Sequence, residues 1–404
     1  MHLPKTLIAA AVAALALPAA AQAAPPWSAP VSVSSEATSA PHVLFAGGAG
    51  TVAFNGPGAS FARPVLQAPL DGSAQAVDWP GAKGFDTTYG AFAGGERALY
   101  VGSNGEERVL VGEASGPNGQ WRTSLRGPKT GGARAAAAPG AAVFGTFGPG
   151  SVYLVRQEGA KLEPTQKLSG RGSIRSVAVA TNAGGDILAV WDRAGTIEAR
   201  YWYARSERLS AVKALGKTDA ALKLGVALGD DRRAVVGWID QRISEGEAAK
   251  GSAWATARTA TRGFAAPKQL DTYGNNDIAG GVGVKAAPNM VVFSGSDAIK
   301  AALVNGRSIG APQAIAPVAP DQSFADIGLG DLATSAGGKA VVAVAAKDRI
   351  WAVPFDGTAF GAPEDVSGPE QEPHQPSVAF DGATAYLAWQ STPTRVEVSQ
   401  RPTP

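Results

Sequence analysis

The segment Trp27-Ser-Ala-Pro30-Val-Ser-Val33 opens on an aromatic residue, passes through Ala-Pro and reaches an aliphatic residue six positions after the first. Phe264-Ala-Ala-Pro267-Lys-Gln-Leu270, Ile309-Gly-Ala-Pro312-Gln-Ala-Ile315 and Phe360-Gly-Ala-Pro363-Glu-Asp-Val366 repeat it, and weaker copies start at Leu70, Trp121, Leu162 and Leu209. A second pattern interleaves with this one. It runs from small or polar residues through a glycine-rich turn to a large apolar residue. Its clearest copies are His42-Val-Leu-Phe-Ala-Gly-Gly-Ala-Gly-Thr-Val-Ala-Phe54 and Ser377-Val-Ala-Phe-Asp-Gly-Ala-Thr-Ala-Tyr-Leu-Ala-Trp389, which align without a gap and set His42 opposite Ser377. The terminal apolar column reads Phe54, Val101, Phe147, Trp191, Trp238, Phe293, Val344 and Trp389, in steps of 47, 46, 44, 47, 55, 51 and 45 residues. Seven copies of the first pattern follow a column residue; the copy at Trp27 precedes them all.

This displacement predicts a topology. A period near 47 residues suits a four-stranded propeller blade. Third strands are visible as Thr196–Trp202, Ala298–Val304 and Arg349–Val353, alternating as strands packed between two layers should. Trp389 is followed only by Arg395-Val-Glu-Val398 and a short tail, so the last blade lacks an outer strand and the spare one lies at Trp27. Pairing them closes a ring and removes an aggregation-prone edge. Proline cannot donate to a ladder, so Pro30, Pro267, Pro312 and Pro363 belong at the edge of each blade. The expectation is an all-β, eight-bladed β-propeller of four-stranded antiparallel blades with N-terminal strand closure; seven blades is the alternative.

The tails of the repeat, Gly263-Phe264-Ala-Ala-Pro267 and Asp356-Gly-Thr-Ala-Phe360-Gly-Ala-Pro363, resemble secreted bacterial propellers with sialidase-like (BNR-type) repeats. That resemblance implies the architecture over nearly all of the chain. It carries no catalytic residues across: the family's Ser-x-Asp-x-Gly-x-x-Trp box and its Phe-Arg-Ile-Pro element are both missing.

Composition narrows the setting. Met1–Lys5 is positively charged, Thr6–Leu17 is apolar and Ala21-Gln22-Ala23 has a small-x-small pattern, the three parts of a signal peptide. Residues 1–23 are therefore read as a signal peptide cleaved near Ala23, and residues 24–404 as one secreted, extracellular propeller domain. No later stretch is long and apolar enough to insert in a membrane as a helix. The chain has no cysteine, which excludes disulfides, thiolate–zinc sites and thiol catalysis. A net charge of +2 gives no reason to expect nucleic acid. No cofactor or metal site is expected, and a monomer is.

Function then falls to loops that interrupt the repeat. The loops on one face carry the candidate ligand-binding residues Trp79, Arg175, Asp192, Arg193, Asp240, Arg242, Tyr273, Asn276, Asp277, Asp326 and His374. The segments Asp240–Gly251 and Asp271–Asp277 stand out as long polar loops, where binding residues tend to be placed. Trp79 could stack on a sugar ring, and His374 lies in the loop entering the last blade. No catalytic residue is assigned. The first reading is a non-enzymatic extracellular module binding an unknown ligand or protein, with glycans among the ligands considered. The second is a carbohydrate-active hydrolase or lyase using Asp192, Asp240, Asp277 and Asp326, since glycoside hydrolysis needs two carboxylates across a cleft.

Overall fold

The structure is a computed structural model. It describes residues 26–402 except 47–48, 58–64, 73–76, 79–88, 94–96, 105–107, 116–121, 126–132, 147–149, 159–160, 220, 243–249, 275–282, 318–326, 370–373 and 393. The leader read at residues 1–23 lies outside these residues, as do Trp79, Phe147, Asn276, Asp277 and Asp326.

Among the described residues the strands pair into eight antiparallel sheets. In chain order their first strands are His42–Ala46, Tyr89–Ala93, Ala133–Ala138, Ile174–Thr181, Ala221–Leu228, Val284–Ala287, Gly328–Thr334 and His374–Asp381. Each of these first strands packs beside the next, and the eighth packs beside the first, so the inner strands close a ring. The only helical element among the described residues is a 3-10 turn at Ala204–Ser206.

The apolar column explains why the sheets stack. Phe54, Trp191, Trp238, Phe293, Val344 and Trp389 are buried on the second strand of their sheets. In the third sheet the fully buried aromatic residue is Phe144. The clusters cross sheet boundaries: Trp191 packs with Val143 and Leu154 of the preceding sheet, and Trp238 with Leu188 and Val190 of its own predecessor. Each column residue therefore fills the space between two sheets. Full burial of such a side chain is worth about 1.5–3 kcal/mol.

The third strands form where expected, as Thr196–Tyr203, Ala298–Asn305 and Arg349–Phe355. The outer strands are built differently from a continuous edge. Val31–Ser34, Lys268–Tyr273, Gln313–Pro317 and Glu364–Asp365 each begin directly after Pro30, Pro267, Pro312 and Pro363. The proline thus sits in a break of the ladder rather than within it, where a missing N–H leaves no carbonyl unpaired. Before each break one bond recurs. The N–H following the repeat's first apolar residue donates to a third-strand carbonyl: Glu163 to Arg156, Ser210 to Tyr201, Ala265 to Ala257, Gly310 to Leu303 and Gly361 to Pro354, at 2.8–2.9 Å.

The N-terminal segment makes the same bond. Ser28 N–H donates to the carbonyl of Gln400 at 2.9 Å, and Val31–Ser34 pairs antiparallel with Val396–Pro402, Val31 opposite Val398. It is the outer strand of the eighth sheet, whose order is Val31–Ser34, Val396–Pro402, Thr384–Gln390, His374–Asp381. Three further contacts fasten it. Val33 is buried; the Trp27 indole N–H donates to Glu364 of the seventh sheet at 3.2 Å; and the Arg401 guanidinium lies over the Trp27 ring, 4.9 Å from its centroid, while also bonding Glu364.

Candidate functional site

One face of the ring carries the starts of the inner strands and the ends of the second strands. At the junction of the fourth and fifth sheets it brings together three of the sequence-predicted residues, Arg175, Asp192 and Asp240. Arg175, the second residue of its inner strand, donates to the carbonyl of Asp219. Asp192 lies near the end of the second strand and is wholly buried. One of its carboxylate oxygens accepts the N–H of Gly195 at 3.0 Å, and the other accepts the N–H of Ala221, which opens the next inner strand, at 3.1 Å. In the next sheet Asp240 Oδ1 accepts both the Thr218 hydroxyl at 2.6 Å and the Asp219 N–H at 2.9 Å. Both aspartates thus fix the connection between two sheets.

Burial raises the pKa of Asp192 above the ordinary carboxylate value; the two backbone N–H groups and the Arg175 charge oppose that shift, and the Asp240 charge adds to it. The folded protein then holds a proton here at pH values where the unfolded chain has lost it. Stability from this group is therefore largest below the ordinary value of 3.8 and declines as pH rises through the raised one. Urea unfolding from pH 3 to 7 should show the advantage of the parent over Asp192→Asn shrinking as pH rises. A growing advantage would contradict a burial-dominated shift.

The other described candidates are placed by packing rather than by loops. Arg193 pairs with Glu198, which also accepts the Trp191 indole N–H at 2.8 Å; two side chains hold that buried carboxylate, Arg193 through two of its N–H groups. Asp240 and Arg242 lie in strand Ala234–Arg242, which pairs through Arg242 with Lys250. The two ends of the expected Asp240–Gly251 loop are thus paired strand, and residues 243–249 lie outside the described residues. Tyr273 is also no loop residue: it ends the outer strand Lys268–Tyr273, is buried, and donates its hydroxyl to the carbonyl of Ser294 in the next sheet. Asp271 in the same strand accepts Lys300 at 3.0 Å and the N–H of Ser296 at 3.0 Å. His374 is the exposed first residue of its inner strand, opposite Gln390, rather than part of the loop before it. In each case polar residues at a strand end look like loop in sequence, because the ladder outruns the apolar alternation.

Sequence reading missed a polar row along the inner strands. Asp331 Oδ1 accepts Lys285 of the sixth sheet at 2.9 Å, while its Oδ2 accepts the Ser377 hydroxyl at 3.3 Å and the Val378 N–H at 3.2 Å in the eighth. Ser377 Oγ in turn accepts the N–H of Val43 in the first sheet at 3.2 Å. The His42–Ser377 alignment was its only trace in sequence. Among the described residues no group of three or more His, Asp or Glu is placed to hold a metal ion.

No family model matches the chain, and no curated protein matches it. Solved structures do. The structure of the Dos1 propeller is similar at a TM-score of 0.59 with 10% identity, over 93% of this chain and 95% of that one. The fold is a β-propeller. A puromycin hydrolase is similar at a TM-score of 0.50 with 16% identity over 93% of this chain, which spans about half (55%) of that enzyme. At such identities the likeness shows the fold alone.

Proposed function

We propose that this propeller is a secreted, non-enzymatic binding module of eight blades, acting as a monomer on an extracellular glycan or glycoprotein. The burial of Asp192 carries this reading. A general acid or nucleophile must reach its substrate. Asp192 is 0% exposed and has both oxygens on backbone N–H groups, while Asp240 is committed to Thr218 and Asp219. These two members of the carboxylate set serve to join blades. Secretion rests on the leader pattern of residues 1–23, and the relation to sialidase-type repeats rests on the repeat tails.

The test is a glycan array probed with the mature chain, followed by product analysis on every glycan retained. Retention without turnover is the expected result. Turnover abolished by Asp240→Ala would replace this reading with the hydrolase. Export from a secreting host, with mass spectrometry of the mature N-terminus, checks the leader: Ala24 is the expected first residue.

A further inference from the structure

The polar row becomes informative when all eight inner strands are set in one register, that of the residue opposite the position just before the apolar column. On four consecutive strands it holds Lys285, Asp331, Ser377 and His42, opposite Val292, Ala343, Ala388 and Ala53. On the other four it holds Gly90, Ala136, Ala178 and Gly225, opposite Tyr100, Val143, Val190 and Gly237. Half of the ring is small at this register; the other half is polar without a break.

Packing accounts for the small residue next to the polar row. A Cβ on Gly225 would meet the Val284 carbonyl oxygen at 2.9 Å and the Lys285 Cα at 3.0 Å, so close approach of neighbouring inner strands demands a small residue there. Bonds between sheets account for part of the polar half, since Asp331 accepts the Val378 N–H and Ser377 accepts the Val43 N–H; they do not account for Lys285. The Lys285–Asp331 pair is partly open, with side chains 41% and 24% exposed, and ion pairs of that exposure contribute about 0–1 kcal/mol. Four strands complete the ring with no pair at all.

We infer that the Lys285–Asp331 pair, on the inner wall of the ring, is a binding subsite for a neutral sugar presenting vicinal hydroxyls. A hydroxyl donates and accepts at once. Adjacent hydroxyls can accept from the lysine ammonium, which has three donors and spends one on Asp331, and donate to the neighbouring carboxylate. A simple anion would be drawn to Lys285 but repelled by the carboxylate 2.9 Å away, and a simple cation meets the converse. Ser377 and the Val378 N–H anchor the far side of Asp331, so the carboxylate is positioned before any ligand arrives, which lowers the ordering cost of binding. This subsite rests on the glycan-binding reading above and gives it a location.

The test uses the mature chain against immobilised neutral oligosaccharides, with uronic-acid oligosaccharides and sulfated glycans as comparison probes, followed by titration calorimetry on whichever neutral glycan is retained. Lys285→Ala installs what other inner strands already carry at this register and should melt close to the parent, whereas Asp331→Ala also takes the acceptor from the Val378 N–H and the Ser377 hydroxyl and should melt lower. Each should weaken neutral-glycan binding by roughly tenfold or more, the scale of one lost charge-assisted contact. Should either variant melt far below the parent, Lys285→Met and Asp331→Asn, closer in size, carry the same comparison. Unchanged affinity in folded variants overturns the subsite and leaves the binding module standing. Retention of acidic glycans alone overturns the neutral-sugar assignment. Retention of no glycan overturns the subsite together with the glycan reading.

Discussion

Removing residues 27–34 lowers the stability of the propeller by about 5 kcal/mol or more, on the scale of one buried valine and several hydrogen bonds. The loss has separable parts. Val33 leaves a cluster it shares with Val52, Phe54, Leu66 and Val398. The ladder of Val31, Ser32 and Ser34 against Val398, Glu397 and Val396 disappears, together with the bonds of Ser28 to Gln400 and Ser399. Arg401, 1% exposed, loses the Trp27 ring it lies over, and strand Val396–Pro402 becomes an open edge. Chemical denaturation of the truncated chain against the parent measures the effect. Equal midpoints would mean that the segment decorates the eighth sheet instead of closing it. Trp27→Ala should reproduce part of the loss, since it removes the ring and the Glu364 bond and leaves the ladder intact.

The next largest effect is expected at the apolar column. Trp191→Ala should cost about 3–5 kcal/mol, the usual range for emptying a buried aromatic site. The informative comparison is with phenylalanine. Trp191 donates its indole N–H to Glu198 at 2.8 Å, whereas the indole N–H of Trp238 has no protein partner and its ring stacks on Trp254 at 6.4 Å. Trp191→Phe therefore takes one of the donors from a buried carboxylate, and Trp238→Phe removes no protein hydrogen bond. The first should cost more than the second by about 1–3 kcal/mol, the penalty for leaving a buried polar group short of a partner. Equal losses in urea unfolding would show that Arg193 alone satisfies Glu198.

The fold was legible because two features survive in a single sequence: a large apolar residue in each repeat, and a proline just before four of the outer strands. Both are enforced locally, one by the space between sheets and the other by a missing N–H. The site was legible only in part. Arg175, Asp192 and Asp240 do converge, but as struts, a role that composition and spacing do not distinguish from binding. Lys285 and Asp331 escaped notice because their common register depends on irregular strand starts. The pairing slips between Leu329 and Asp331 and again between His374 and Ser377, where Gln375 takes a positive φ of 50°. An ungapped comparison of repeats cannot see through such bulges.

The recurring bond that joins Ser28 to Gln400 has one more consequence. In the sixth sheet the equivalent bond, Gly310 to Leu303, is followed inward by a continuous tight turn, Asn305-Gly306-Arg307-Ser308. Residues 401 and 27 stand where Val304 and Ile309 stand in that hairpin, with the turn left out. Topologically the molecule is a circle cut at a junction that the sixth sheet closes with a turn. A permuted chain with those arms joined by a short glycine-containing turn, and opened instead between residues 34 and 42, should rebuild the same ring with its closing strand covalently attached.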